Sequence, residues 1–438
     1  MSIKVAKFGG SSLADAEHFI KVANIIKADP ARRYVVPSAP GKRSSSDTKV
    51  TDMLYACYET AIRGEDITEI FSKIVDRYNG IIRDLGLDLD MSREYERIKA
   101  SMIHNAGRDY AASRGEYLNG IILAKYLGYD FIDAAKVVFF DEYSRFDGER
   151  TNEILSYELK RHERAVIPGF YGIMPNGTVK TFSRGGSDIT GSIVARACMA
   201  DLYENWTDVS GFLMADPRIV DSPKPIQTIT YRELRELSYM GATVLHEDAI
   251  FPVRVAGIPI NIRNTNAPED AGTMIVSSTD TYDTERVITG IAGKQGFSVI
   301  SLEKDMMNSE RGFIRRALEV LEKYNIPVEH MPTGIDTMNL LIPTMAIGDN
   351  REALINNLCR VLEPDTISME DDVALIAIVG RSMIKAKGTA ARIFSAIAGA
   401  GVNIRMIDQG SSELNIIIGV ETKDFPHAMD AIYREFVK

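Results

Sequence analysis

The chain has 438 residues, with 51 Lys and Arg against 61 Asp and Glu and a formal net charge of −10; its isoelectric point is near 5.3. That length suits roughly three domains, and 45% hydrophobic with 26% charged residues is the mix of a globular chain with ample material for a core. The acidic balance argues against a general nucleic-acid or anionic-membrane binder, which needs a basic face, but it leaves room for a local cationic pocket around a phosphate.

The N-terminus, MSIKVAKFGGSS, has no apolar stretch of the kind that makes a secretory signal. No run approaches the ~18 apolar residues of a membrane-spanning helix. Ile3–Phe8 reads as a buried strand, Gly9 to Ser12 as a loop, and Asp15–Lys27 as a helix with Phe19, Ile20, Ala23 and Ile26 on its apolar side. Tyr34–Val36 is the next strand, followed by a Gly/Pro/Ser loop from Ser38 to Ser46. Helices are predicted over Leu54–Arg63, Ile67–Leu85, Arg93–Ile103 and Glu116–Leu127, and a strand over Ala165–Pro168. Phe170–Ile173 and Val179–Phe182 flank Asn176-Gly177, a hairpin signal, and a helix over Ile189–Met199 follows. Strands separated by helices predict an α/β fold with a mainly parallel sheet. Cys57, Cys198 and Cys359 are odd in number and far apart, and the six histidines form no HExxH. Neither a disulfide framework nor a zinc site is expected, and a reducing, cytoplasmic setting fits.

The last third repeats itself. A shift of 76 residues lays Gly312 on Gly388, Leu318 on Phe394, Leu321 on Ile397, Ile326 on Val402, Val328 on Ile404 and Gly334 on Gly410. The alternating Met338, Leu340 and Ile342 then fall on Leu414, Ile416 and Ile418. Such a register points to duplication. It predicts two small α+β domains reading strand, helix, strand, turn, strand, helix, with a boundary near Glu370-Asp371-Asp372 and a polar linker over Ser277–Arg286.

Four segments could carry chemistry. Lys7-Phe8-Gly9-Gly10-Ser11-Ser12 places a lysine at a strand end before a glycine pair that opens a helix. Glycines let backbone N–H groups approach an anion, and Lys7 would neutralise charge on a transferred phosphoryl group. The same residues would also make a plain turn. No Walker A motif exists, since neither Gly41-Lys42 nor Gly293-Lys294 precedes Ser or Thr, and no GxGxxG exists either. In Ser183-Arg184-Gly185-Gly186-Ser187-Asp188, Ser187 or Asp188 can N-cap the following helix. Arg184 and the glycine pair suit a bound carboxylate equally well. Trp206-Thr207-Asp208-Val209 and Ala215-Asp216-Pro217-Arg218 form a strand end and a polar turn, where Asp208 and Asp216 serve either as turn formers or as partners of a nucleotide and its Mg²⁺ water. Ser113-Arg114-Gly115-Glu116 sits at a predicted helix start, where an acid ordinarily complements the helix dipole.

In combination and in this order, KFGGSS, SRGE, SRGGSD, WTDVSG…ADPR and the C-terminal β-α-β-β-α-β pair resemble the aspartokinases of the amino-acid kinase family over essentially the whole chain. Val35–Ala39 with Thr51-Asp52, Gly241-Ala242…Val244-Leu245-His246, and Ile258-Pro259…Arg263 with Gly272-Thr273 add to the likeness. The resemblance implies a three-layer α/β sandwich over 1–280 followed by two ACT-like βαββαβ regulatory domains over 281–370 and 371–438. It implies transfer of the γ-phosphate of ATP, with Mg²⁺, to the side-chain carboxylate of L-aspartate. Lys7, Gly9 and Gly10 then meet the transferred phosphate, and Asp188 orients lysine and substrate. Ser38, Thr51, Glu116, Arg184 and Ser187 surround aspartate, with Arg184 on a carboxylate and Glu116 on the ammonium. Thr207, Asp208, Asp216 and Arg218 face the nucleotide together with Lys7 and Gly10. No metal ligand set is expected in the protein itself.

The chain departs from the family pattern at Thr243, where many relatives carry a lysine, and at Leu213, where a tyrosine is common. The loop Gly41–Val50 is longer and richer in Ser and Lys, and Lys42 or Lys49 could take over a nucleotide contact. Met307, Phe313, Glu329 and Asp336 match the effector-binding loops of lysine-sensitive relatives. Lysine is the first expected inhibitor and threonine the second, and a homodimer or tetramer joined through the regulatory domains is expected. Another amino-acid kinase is the rival reading. A non-catalytic amino-acid sensor is disfavoured, because Lys7, Arg184 and Asp188 would have no reason to coexist. No fused homoserine dehydrogenase is expected, because no chain remains after the second repeat.

Overall fold

In the computed structural model, which describes residues 2–183, 185–242, 247–279 and 287–437, the buried run Val5, Ala6 and Phe8 lies at the centre of a sheet. Its strands are β1 (Lys4–Phe8), β2 (Arg32–Pro37), β3 (Asp130–Phe131) and β4 (Ala165–Val166). After the hairpin β5 (Tyr171–Ile173) and β6 (Val179–Thr181), it continues with β7 (Leu202–Thr207), β8 (Thr228–Thr230), β9 (Ile260–Asn264) and β10 (Thr273–Val276). Among the described residues these form an eight-stranded sheet in the order β3-β4-β2-β1-β7-β9-β10-β8. Every pairing is parallel except β9 with β10. Helices Ala16–Ala28, Val50–Ile62, Thr68–Asp84, Ser92–Ile103 and Arg108–Leu127 pack in one group, and Gly148–Leu159, Gly186–Ala197 and Glu247–Ala256 in another. The mainly parallel α/β architecture is the one expected. A strand covered on both faces should be continuously apolar, as β1 is apart from Lys4 at its start and Lys7.

Helix Arg108–Leu127 starts eight residues before its predicted beginning. Gly115, which discourages a helix in a sequence reading, lies inside it for a packing reason. A Cβ there would sit 2.8 Å from the Ala39 Cβ. Glu116 is therefore a mid-helix residue and not the first-turn dipole partner its motif suggested. Gly115→Ala would gain about 1 kcal/mol of helix propensity and lose about 1–3 kcal/mol to overpacking. A net loss of stability of about 1 kcal/mol is expected in denaturant titration.

The chain divides into two compact units, Met1–Phe212 with Pro225–Tyr231 and Val244–Thr279, and Leu213–Lys224 with Arg232–Thr243 and Asp280–Lys438. The second holds a five-stranded antiparallel sheet of β11 (Gly290–Glu303), β12 (Thr337–Pro343), β13 (Thr366–Val379), β14 (Met406–Asp408) and β15 (Asn415–Glu421), in the order β12-β11-β13-β15-β14. The internal repeat is visible here. Gly312 (φ +78°) and Gly388 (φ +84°) both precede an eleven-residue helix, Phe313–Lys323 and Thr389–Gly399. The first half of β11, Gly290–Lys294, pairs with Leu375–Val379 of β13, and the second half, Val299–Glu303, pairs with Thr366–Glu370. Both long strands thus serve both repeats. The expected boundary at Glu370-Asp371-Asp372 falls inside β13, at a left-handed Asp372 (φ +61°). Of the expected linker Ser277–Arg286, residues 280–286 lie outside the described residues. No helix among the described residues is long and apolar enough to cross a membrane.

Candidate active site

β1 and β7 are neighbours in register, which sets Lys7 beside Asn205. Lys7 is only 8% exposed. Its Nζ lies 2.6 Å from Asp188 Oδ1 and donates to Asn205 Oδ1 at 3.3 Å, while Asn205 Nδ2 donates to the same Asp188 oxygen at 2.9 Å. A buried ammonium needs such partners. Asp188 comes from the first turn of helix Gly186–Ala197. Neither Asp188 nor Ser187 caps that helix, because the N-cap is Gly185, in the left-handed region at φ +59° with no side-chain bond. Freed from capping, the Asp188 carboxylate turns to the lysine. Tyr203 fixes the helix by donating to the Asp188 carbonyl at 3.0 Å. One residue before Asn205 on β7, the buried Glu204 accepts from both Arg32 and Trp206.

The glycine loop follows directly. Gly9 N–H donates to the Trp206 carbonyl at 3.1 Å, and a Cβ on Gly9 would stand 3.8 Å from Lys7 Nζ. Gly10 opens a 3-10 turn, Gly10–Leu13. A Cβ on Gly10 would lie 2.8 Å from the Ala39 carbonyl. The opposing segment is tied to the loop on both sides, since Ser38 N–H donates to the Phe8 carbonyl at 3.0 Å and Gly41 N–H to the Gly10 carbonyl at 2.8 Å. Helix-start N–H groups beside a buried lysine are an arrangement that attracts an anion.

Across that segment stands Glu116, 6% exposed. One of its carboxylate oxygens is buried with no hydrogen-bond partner. Desolvation pushes its pKa up to about 8, against the opposing pull of the Ala39 and Glu116 backbone N–H groups and the Arg114 charge. Arg114 itself is buried against the rings of Tyr110, Tyr117 and Tyr171. A buried acid with an unmet oxygen suits a cationic partner.

The remaining candidates are distributed as follows. Ser187 is buried against Gly169, whose Cβ would meet its side chain at 2.7 Å. Thr51 is half-buried in the first turn of helix Val50–Ile62. Arg184, Thr243, Val244, Leu245 and His246 lie outside the described residues. Thr207 ends β7, and its hydroxyl donates to Asp208 at 3.1 Å. Asp216 and Arg218 belong to the second unit and pair with each other at 2.6 Å, which lowers the Asp216 carboxyl. Leu213, also in that unit, is partly exposed. Met307 and Phe313 are buried in the core of the first repeat. Glu329 accepts from the Tyr239 hydroxyl at 2.5 Å, and Asp336 accepts from the Met306 N–H at 2.9 Å.

Sequence reasoning passed over Asn205 and Ala39. A polar Asn beside Glu204 in the buried stretch Tyr203–Trp206 was the available signal for the first. The second was noted only as the end of the matching segment Val35–Ala39, with no role given to it. Among the described residues no group of three or more His, Cys, Asp and Glu side chains is placed to hold a metal ion.

Residues 2–264 match the model of the amino acid kinase family, and residues 376–436 match that of an ACT domain. The chain is 40% identical to aspartokinase 3 of Bacillus subtilis (strain 168), over 99% of this chain and 98% of that protein. The crystal structure of Clostridium acetobutylicum aspartate kinase superposes with a TM-score of 0.93 at 52% identity, covering 100% of both chains. That of E. coli aspartokinase III in complex with lysine and aspartate gives 0.74 at 25% identity, again over 100% of both. The chain therefore belongs to the amino acid kinase family and, within it, to the ATP-dependent aspartokinases.

Proposed function

We propose that the chain transfers the γ-phosphate of ATP to the side-chain carboxylate of L-aspartate, giving 4-phospho-L-aspartate, in the cytoplasm and as the opening step toward lysine, threonine and methionine. The observation that carries this reading is the buried Lys7–Asp188–Asn205 group at the glycine loop, joined through segment 38–41 to a buried Glu116 with an unmet oxygen. Glu116 would take the substrate ammonium, Arg184 a carboxylate, and Ser38, Thr51 and Ser187 the rest of the pocket wall. Lys7 and the N–H groups of the loop from Gly10 onward would meet the transferred phosphoryl group, with Asp188 orienting Lys7 and Gly9, its own N–H held by the Trp206 carbonyl, letting the backbone come close to Lys7. Thr207, Asp208, Asp216 and Arg218 are assigned to the nucleotide on family resemblance.

The attacking carboxylate is already ionised near neutral pH, so no general base is required. Catalysis then rests on positioning and charge neutralisation. Mg²⁺ enters with ATP and supplies charge neutralisation on its phosphates. Such an ion keeps several waters and takes one or two carboxylates. The reading is tested by ATP consumption with aspartate against glutamate. Turnover on glutamate alone, or on neither, would overturn it.

Residues 281–370 and 371–438 would be the regulatory domains, joining a homodimer or tetramer, with residues 1–280 catalytic. Lysine is the first proposed inhibitor and threonine the second. The E. coli relative in complex with lysine and aspartate (T-state), and with aspartate and ADP (R-state), supports this choice. Glu329 and Asp336 would hold the effector's ammonium groups, with Met307 and Phe313 shaping the loop from the core side. A charged hydrogen bond contributes roughly 1.5–3 kcal/mol. Asp336→Ala is therefore expected to raise the half-inhibiting lysine concentration about tenfold or more at unchanged activity without lysine. Unaltered lysine sensitivity would remove Asp336 from the pocket.

A further inference from the structure

Segment 38–41 touches both halves of the site. Gly41 N–H holds the Gly10 carbonyl at 2.8 Å, and a Cβ on Gly41 would lie 2.6 Å from the Gly10 carbonyl carbon. At its other end, Asn119 Nδ2 donates to the Ser38 carbonyl at 2.6 Å, and Ala39 lies against Gly115 beside Glu116. The segment belongs to no helix or strand, and the chain stays irregular up to residue 49. One side chain secures it from outside. Arg77, in helix Thr68–Asp84 and 6% exposed, donates through one terminal nitrogen to the Gly41 carbonyl at 2.7 Å and through the other to Asp47 at 2.7 Å. Asp47 is the knot of the loop. It also accepts from the Arg43 backbone N–H and guanidinium, and these two arginines hold its carboxyl far below the usual range. Arg77 Nε is buried with no partner.

We propose that Arg77 is a positioning residue for the phosphoryl transfer: with Asp47 it fixes segment 38–41, and so the separation between the phosphate loop at Gly10 and the substrate acid Glu116. The inference rests on the reaction proposed above. Lysine at 77 keeps the charge but cannot span Gly41 and Asp47 as a planar fork does. A displacement of about 1 Å in such a support costs up to about 10²-fold in rate.

The test compares Arg77→Lys, Asp47→Asn and the double variant as full chains with aspartate and ATP. Arg77→Lys is expected to lower kcat about 10- to 100-fold, with KM for ATP within twofold of the wild type. Asp47→Asn should lose less, because Arg77 still reaches Gly41, and the double variant should lose no more than Arg77→Lys. Amide hydrogen exchange over residues 38–47 should quicken in each variant, with protection of the central sheet unchanged. Native kcat in both single variants overturns the proposal, as does a lost kcat with unchanged exchange in the segment. If Arg77→Lys does not fold, Asp47→Asn carries the test alone. Should the wild type fail to phosphorylate aspartate, the reaction assignment falls, while the exchange arm still decides whether Arg77 holds the segment.

Discussion

Lys7→Ala is expected to lower kcat by about 10³-fold or more while KM for aspartate moves only a few-fold. Removing one preorganised donor from a developing oxyanion typically costs about 10²–10³ in rate. Lys7 brings a full charge from a site only 8% exposed, where little water can replace it. That charge is held at 2.6 Å from Asp188 and 3.3 Å from Asn205. Two side chains thus fix the direction of the lysine, which limits the reorganisation it undergoes during transfer. The same burial gives the variant a stability defect, because among the described residues Asp188 would keep Asn205 alone as a side-chain partner. Turnover is therefore to be expressed per folded molecule, with the folded fraction taken from circular dichroism. Near-native turnover would remove Lys7 from the chemistry.

Glu116→Gln is expected to raise KM for aspartate about 30-fold or more, the effect of losing one partner of a buried charge pair, and to abolish the pH dependence of that constant. The wild-type carboxyl has its pKa pushed up to about 8 from an ordinary 4.5. Between those values the empty folded enzyme holds a proton that the unfolded chain has lost. Its stability from this group accordingly falls as pH rises through the window. A substrate ammonium wants the ionised acid, so binding below pH 8 must expel the proton. KM for aspartate should then fall by about tenfold per pH unit from pH 6 toward pH 8, at saturating ATP. A flat wild-type profile across that range would show that the acid does not receive the ammonium.

Much of this was legible because it is local. Lys7 and the two glycines are adjacent in sequence, and the alternation of short apolar runs with helices sufficed for a mainly parallel sheet. The duplication was legible for another reason: Gly312 and Gly388 occupy the same left-handed helix start, so a side chain at either would be strained. The rest depends on which distant pieces meet. Asn205 is a partner of Lys7 only because the sheet order puts β7 beside β1, 198 residues away in sequence. Ala39 matters only because Gly115 admits it. Arg77 reads from sequence as one more cation on a charged helix, and its burial follows from the loop folded over it. The reading of Asp188 as a cap failed because Gly185, one residue before the helix, adopts the left-handed turn that sets the start.

The sharing of β11 and β13 between the two repeats bears on how the C-terminal region can change over generations. Each repeat's sheet is completed by a stretch of backbone that continues into the other, so no single cut separates them. A chain severed after residue 370 would keep Gly290–Lys294 but lose the Leu375–Val379 ladder beside it, leaving a raw edge open to mispairing. Neither copy can be dropped, exchanged or shuffled as a cassette. The pair is inherited as one woven block, in which a substitution in either long strand is felt on both sides of the bend at Asp372.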